Sequence, residues 1–463
     1  MNGLMMDRQL LLSSLLWRTE RLFGDKRIHT RLDDGGYHSY TYREYGQRVR
    51  RLANALWRLG VRHGDRVGTL GWNHHRHLET YFAVPATGAV LHTVNLRLFR
   101  EQQRFTIDHV GDSVLFVDPD QIPVVEELVE LGIPTVRAFV VMGDGPVPET
   151  SLAPVHSYEE LLAAESDDYE YPEFDEHEAA AICFTSATTG DPKGVVYSHR
   201  AMVLQALCLG LTDDLGLRED QVWLEVAPMF HVNGWNIPHA ALLQGATLVL
   251  PGVHPKPTDL VAAVEDLGVT GINAAVTVGT LLRDAVEESD RDHDLSTLRT
   301  MWLGGQAPST AIMQWWGERG TTITQGWGMT ENSPQICFSG VKSTLRATAD
   351  EDDLRALRQK QGLPLPLVQI RVVGEDGSEQ PWDGESVGDL WVRSPFTASA
   401  YFADERTAES MVDGWFRTGD IGAVDADGYV VLKDRAKDLI KSGGEWISSI
   451  DLENALMAHP DVR

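Results

Sequence analysis

The stretch Phe184-Thr185-Ser186-Ala187-Thr188-Thr189-Gly190-Asp191-Pro192-Lys193-Gly194 gathers four hydroxyl side chains, two glycines and one lysine into a single short loop. Backbone N–H groups freed by glycine, together with short hydroxyls, make a concave set of donors, and a lysine adds a point charge that needs no bidentate geometry. Such a loop is built to hold phosphate, with Thr185, Ser186, Thr188, Thr189 and Lys193 as its ligands. Gly190 is followed by Asp-Pro-Lys rather than Gly-Lys-Ser, so the spacing is not that of a simple P-loop nucleotidase.

Working outward, Ala179-Ala180-Ala181-Ile182-Cys183-Phe184 is a short apolar run that reads as a buried strand, and Val195 to Met202 reads as a second strand running toward a Ser-capped helix. Helical patterns alternate with short apolar strands at Tyr45 to Leu59, Asp65 to Leu70, His77 to Gly88, Ala246 to Leu250, Leu260 to Leu267 and Gly271 to Asn273. That rhythm predicts an α/β fold of mostly parallel sheets covered by helices. From Gln369 onward, Ile370 to Val373, Gly388 to Arg393 and Gly428 to Leu432 alternate with period two, the mark of a smaller β-rich lobe. Asp144 to Glu178, acidic and proline-rich, reads as a connection. The expected organisation is a large multi-lobed domain over 1–435, with sub-lobes 1–178, 179–368 and 369–435, followed by a hinge and the start of a small domain over 436–463.

Composition narrows the class. A net charge of −28 over 463 residues opposes non-specific binding to nucleic acid or to an anionic membrane. Cys183, Cys208 and Cys337 are widely spaced and odd in number, so neither a disulfide framework nor a zinc spacing is present, and a reducing cytoplasm is expected. Leu10 to Trp17 is too short to span a bilayer and is flanked by Arg18, Glu20 and Arg21, which makes it a first helix rather than a signal peptide.

Further motifs follow in order: Thr41-Tyr42-Arg43-Glu44-Tyr45, Met229-Phe230-His231-Val232-Asn233-Gly234-Trp235, Gly304-Gly305-Gln306-Ala307-Pro308 and Gly326-Trp327-Gly328-Met329-Thr330-Glu331. Then come Gly414-Trp415-Phe416-Arg417-Thr418-Gly419-Asp420 and Asp434-Arg435-Ala436-Lys437-Asp438-Leu439-Ile440-Lys441-Ser442-Gly443-Gly444-Glu445. With the phosphate loop, the set resembles the adenylate-forming superfamily of acyl-CoA synthetases, peptide-synthetase adenylation domains and luciferases, over essentially the whole chain. The branch it most looks like is the medium- and long-chain acyl-CoA ligases.

That resemblance implies ATP, CoA and a small-molecule carboxylic acid as substrates, with Mg²⁺ on Glu331 and Thr330 donating to a phosphate oxygen. AMP would be held by Gly304, Gly305, Gln306, Ala307, Gly326, Trp327, Gly328, Met329, Thr330, Asp420 and Arg435. A carboxylate at Asp420 can accept from both ribose hydroxyls, glycines at 304 and 305 let backbone approach the adenine, and Trp327 offers a stacking face. His231 would orient the substrate carboxylate. With Val232, Asn233, Trp235, Gly279 and Gly304 it would line the acyl pocket, where Gly279 stands in place of a bulky ring and favours a large apolar acid. Lys437 would be the hinge between two half-reactions, and Lys441, Ser442, Gly443, Gly444, Glu445 and Trp446 would line the CoA tunnel. The resemblance leaves open a homodimer, a relative that only binds or uses acyl-AMP, and a luciferase-like oxygenase.

Two departures from the family pattern concern adenylation. Ala187 stands where glycine is usual, and the chain stops at Arg463 before the position of the C-terminal lysine that relatives supply. The expectation is a weakened adenylation half-reaction in a chain that lacks most of the C-terminal domain.

Overall fold

The computed structural model describes residues 1, 3–185, 191–211 and 215–435, and the backbone of the strands Ile440–Ser442 and Glu445–Ile447. Ser186, Ala187, Thr188, Thr189, Lys437, Gly443 and Gly444, all singled out from the sequence, lie outside the described residues. Two compact units divide the chain. The first comprises Met1–Gly210, Leu217–Asp259 and Tyr401–Ala403, the second Leu211–Gly216, Leu260–Ala400 and Asp404–Arg463.

The first unit is built on a seven-stranded sheet ordered Val155–Ser157, Ala138–Val141, Asp112–Val117, Arg66–Leu70, Val90–Thr93, Ala179–Phe184 and Gly194–Ser198. Every neighbour pair is parallel except the last, where Gly194–Ser198 turns back beside Ala179–Phe184. Strands on both sides of residue 178 share this sheet, so the lobe border expected there is not a sheet border. Asp144 to Glu178 is more than a connection, since it contributes the strand Val155–Ser157 and the helix Tyr158–Ala163. A second set of strands, Val222–Glu225, Thr247–Leu250 and Arg27–Arg31, pairs in parallel, and Tyr37–Thr41 adds on antiparallel. Local chemistry sets the helices. Thr41 and Glu44 form a reciprocal capping box at the start of Tyr42–Arg58, and Ser198 Oγ accepts from Ala201 N–H at 3.1 Å to start His199–Leu209. Leu12–Leu22 is the first helix, with Leu12, Leu15, Leu16 and Thr19 buried. Among the described residues no helix is long and apolar enough to cross a membrane.

The core of this unit holds neutral imidazoles. Burial pushes His77 and His239 down to about 3 and His199 down to about 4. The unfolded chain protonates histidine near pH 6.5. The unfolded state therefore takes up protons that the folded state refuses, and stability present above that pH is lost as pH falls toward the folded values. Unfolding free energy is expected to decline below pH 6.5 by up to about 1.4 kcal/mol per pH unit for each such histidine. His239 packs between Tyr81 and Phe82, with ring centroids 5.6 and 5.0 Å away. Urea midpoints measured across this range should show a shallower decline in His239→Phe than in the parent, and identical slopes would contradict the assignment.

The second unit has parallel strands Gly271–Ala275, Thr300–Gly304 and Thr322–Gly328, continued antiparallel by Gln335–Phe338 and Leu363–Pro364. A separate antiparallel lobe pairs Gln369–Val373 with Gly388–Arg393, then Trp415–Val424, which takes Met411–Val412 and Val430–Arg435 as further partners. These are the period-two segments of the sequence. Together the two units carry the expected α/β class, parallel sheets with helices plus a small β-rich lobe.

Candidate functional site

In the first unit the phosphate-type loop leaves the sheet at Phe184 and returns at Gly194. Its neck is closed by two bonds. Thr185 N–H donates to Lys193 O at 3.0 Å, and Lys193 N–H donates to Thr185 Oγ1 at 3.2 Å. The Lys193 ammonium stands 4.4 Å from the centroid of the buried Tyr401 ring, a cation–π contact. The segment bearing that ring is fixed at the returning strand, where Phe402 N–H donates to Gly194 O at 2.8 Å. A Cβ at Gly194 would meet Phe184 Cζ at 3.1 Å and Phe402 Cβ at 3.2 Å, so close packing requires glycine there.

His231 follows a segment held by Asn73. The Asn73 side chain donates to Glu225 O and Ala227 O, both at 2.8 Å, and accepts from Met229 N–H at 2.8 Å. Burial, reinforced by the nearby Arg97 guanidinium, holds the His231 imidazole below its usual pKa, so it is neutral at pH 7. The next five residues all have positive φ: Val232 at 46°, Asn233 at 52°, Gly234 at 61°, Trp235 at 53° and Asn236 at 62°. This is a left-handed turn in which four residues carry side chains, one of them β-branched, at a cost of roughly 1–2 kcal/mol per residue. It persists because tertiary contacts over-determine it. Cys183 Sγ lies 3.1 Å from Thr93 Oγ1 and donates to Asn233 Oδ1 at 3.3 Å, and Asn236 Nδ2 donates to Met202 O at 3.0 Å.

In the second unit Gly304 ends its strand buried, Gly305 follows at φ 92°, and Gln306 is exposed beside half-buried Ala307. Gly326 and Gly328 are fixed by packing. A Cβ at 326 would stand 2.9 Å from Trp302 Nε1, and one at 328 would stand 2.3 Å from Pro334 O. Trp327 is buried and its Nε1–H donates to Asp420 Oδ2 at 2.8 Å, which ties two of the expected nucleotide residues together. Asp420 is also directly opposite Arg435 in the antiparallel ladder. Met329 precedes a short 3₁₀ turn, Thr330–Asn332, in which Thr330 and Glu331 are buried and Glu331 O accepts from Ala398 N–H at 2.7 Å.

Gly279 lies on the helix Val276–Glu287, and the space left by its missing side chain is not open. Leu303 Cδ1 stands 2.9 Å from where a Cβ would be, and Trp316 Nε1–H donates to Gly279 O at 3.2 Å. The widening expected from glycine alone is corrected by this leucine, supplied from the neighbouring strand. Farther along, the two short strands pair Lys441 with Trp446 and Ser442 with Glu445. Among the described residues no group of three or more His, Cys, Asp or Glu is placed to hold a metal ion.

Sequence reasoning overlooked Asn73, Thr93 and Tyr401. Asn73 sits in a run of polar residues between a strand and a helix, and only the contacts to residues 225–229 give it a role.

The family model for AMP-binding enzymes matches residues 16–402. A long-chain-fatty-acid–CoA ligase of Thermus thermophilus is 47% identical over 461 residues, covering 99% of this chain and 83% of that protein. A medium-chain-fatty-acid–CoA ligase of Ectopseudomonas oleovorans is 37% identical over 466 residues, covering 100% of this chain and 84% of that one. Among solved structures, an anthranilate CoA ligase in complex with anthranoyl-AMP has the same fold, with a TM-score of 0.85 at 24% identity over 98% of this chain and 83% of its own. The chain belongs to the AMP-binding enzyme family. Its class is that of the acid–thiol ligases, the AMP-forming acyl-CoA synthetases.

Proposed function

We propose that this enzyme joins a bulky apolar carboxylic acid to CoA through an acyl-AMP intermediate. In the first step a carboxylate oxygen attacks the α-phosphorus of ATP, forming acyl-AMP as the bond to pyrophosphate breaks. In the second the CoA thiolate attacks the acyl carbon, forming the thioester and releasing AMP. Phosphoryl chemistry of this kind is governed by positioning and charge stabilisation. The observation that supports the reading best is the Trp327–Asp420 bond, which holds one carboxylate oxygen and orients the side chain that would accept from the ribose hydroxyls.

The remaining roles follow the residues. Lys193, with Thr185, Ser186, Thr188 and Thr189, would bind the polyphosphate. Gly304, Gly305, Gln306, Ala307, Gly326, Gly328, Met329 and Thr330 would frame the nucleotide, with Arg435 on its ribose or phosphate. Neutral His231 would donate a hydrogen bond to the substrate carboxylate without neutralising the attacking charge. Glu331, a single buried carboxylate, fits Mg²⁺, which commonly takes one or two carboxylates and draws its other ligands from phosphate and water. The ion would supply charge neutralisation at the phosphates. Lys437 would serve as hinge, and Lys441, Ser442, Gly443, Gly444, Glu445 and Trp446 would face CoA, with 436–463 opening a small domain. A cytoplasmic location goes with ATP and CoA as substrates. The similar proteins are ligases, which does not favour the acyl-AMP-only or oxygenase readings.

The apolar acid is tested at Leu303, the plug beside Gly279. Leu303→Ala should raise kcat/KM for the bulkiest acids relative to octanoate by roughly tenfold, the scale of one or two methylenes in an apolar pocket. Leu303→Phe, which enlarges the plug itself, should reverse the preference while leaving AMP affinity alone. Unchanged acid preference in both variants would remove this wall from the pocket. The whole reading is tested by acid-dependent ATP–pyrophosphate exchange and by thioester formation across a panel of acids.

A further inference from the structure

The left-handed turn Val232–Asn236 directly follows His231, proposed to orient the carboxylate, and contains Trp235, expected to line the acyl pocket. Such a turn does not hold itself. Inside it, Asn233 Oδ1 accepts from the Cys183 thiol at 3.3 Å. Thr93 Oγ1 contacts both partners, at 3.1 Å from the sulfur and 3.5 Å from Asn233 Oδ1. Cys183, Thr93 and Asn233 are all buried. Cys183 is also the penultimate residue of Ala179–Phe184, the strand that runs straight into Thr185 and the phosphate-type loop. One sulfur therefore ties the base of that loop to the turn that displays His231 and Trp235.

We propose that Cys183, supported by Thr93, is a positioning residue that holds the turn in its left-handed form and so sets His231 and Trp235 for the carboxylic acid. The proposal rests on the reading of His231 given above. Serine keeps a donor and an acceptor at the same position, alanine keeps neither, and Thr93→Val removes the hydroxyl at nearly constant volume. Cys183→Ala should lower kcat/KM for the acid by about 10- to 100-fold, the scale of a displacement near 1 Å at the reacting group, with KM for ATP within about twofold of the parent. Thr93→Val should show the same split in weaker form, and Cys183→Ser should recover most of the loss. A second readout needs no turnover: in protein labelled with 5-fluorotryptophan, the Trp235 resonance, assigned with Trp235→Phe, should move in Cys183→Ala and return in Cys183→Ser. An unmoved Trp235 resonance, or equal effects on the acid and ATP, would overturn the proposal. If the parent shows no acid-dependent pyrophosphate exchange, the functional reading fails, and the Trp235 resonance alone then decides whether Cys183 holds the turn.

Discussion

Asp420→Ala is expected to weaken AMP binding by at least about tenfold, and more if both ribose hydroxyls are lost as partners. A hydrogen bond to a charged group contributes roughly 1.5–3 kcal/mol, and about 1.4 kcal/mol is a factor of ten in affinity. The variant also strands the Trp327 Nε1–H, which now donates to Asp420 Oδ2 at 2.8 Å inside a buried setting. Trp327→Phe separates the two effects, since it removes that donor and keeps both the aromatic face and the carboxylate. It should cost less than Asp420→Ala in calorimetric titrations with AMP. Equal affinity of Asp420→Ala and the parent would end the ribose assignment.

Lys193→Met should slow formation of acyl-AMP from ATP by about 10²–10³-fold, the usual loss on removing one preorganised charge-stabilising group. Methionine keeps the aliphatic stem that packs near Tyr401, so the neck bonds between Thr185 and Lys193, which use backbone and a threonine hydroxyl, are untouched. Chemically made acyl-AMP, which carries one phosphate, should still be converted to thioester with CoA at a rate within about tenfold of the parent. Comparable losses by both routes would show that Lys193 does not serve the polyphosphate. The same pair of assays on the parent tests whether Ala187 weakens adenylation.

Much of this was readable from local pattern. The apolar run Ala179–Phe184, the cap at Ser198 and the period-two strands after Gln369 are each decided by neighbours in sequence, and each formed as expected. Where long-range contacts decide, the sequence was silent. Trp327 and Asp420 are both motif residues, yet nothing local says that one donates to the other. Gly279 suggested a void because the leucine that fills it comes from a strand more than twenty residues farther along the chain. The left-handed turn at Val232–Asn236 had only Gly234 and two asparagines as local hints, and a valine at its head argues against it on intrinsic preference. Its stability comes from a cysteine and a threonine that no motif names.

Tyr401 to Ala403 belong to the first unit although the chain on either side belongs to the second. For anyone recombining this enzyme with a relative, the natural crossover points are therefore not single breaks in sequence. A grafted second unit that brought its own residues at 401–403 would deliver a foreign ring to Lys193 and a foreign backbone donor to Gly194, so these three positions should travel with the recipient's residues 184–194.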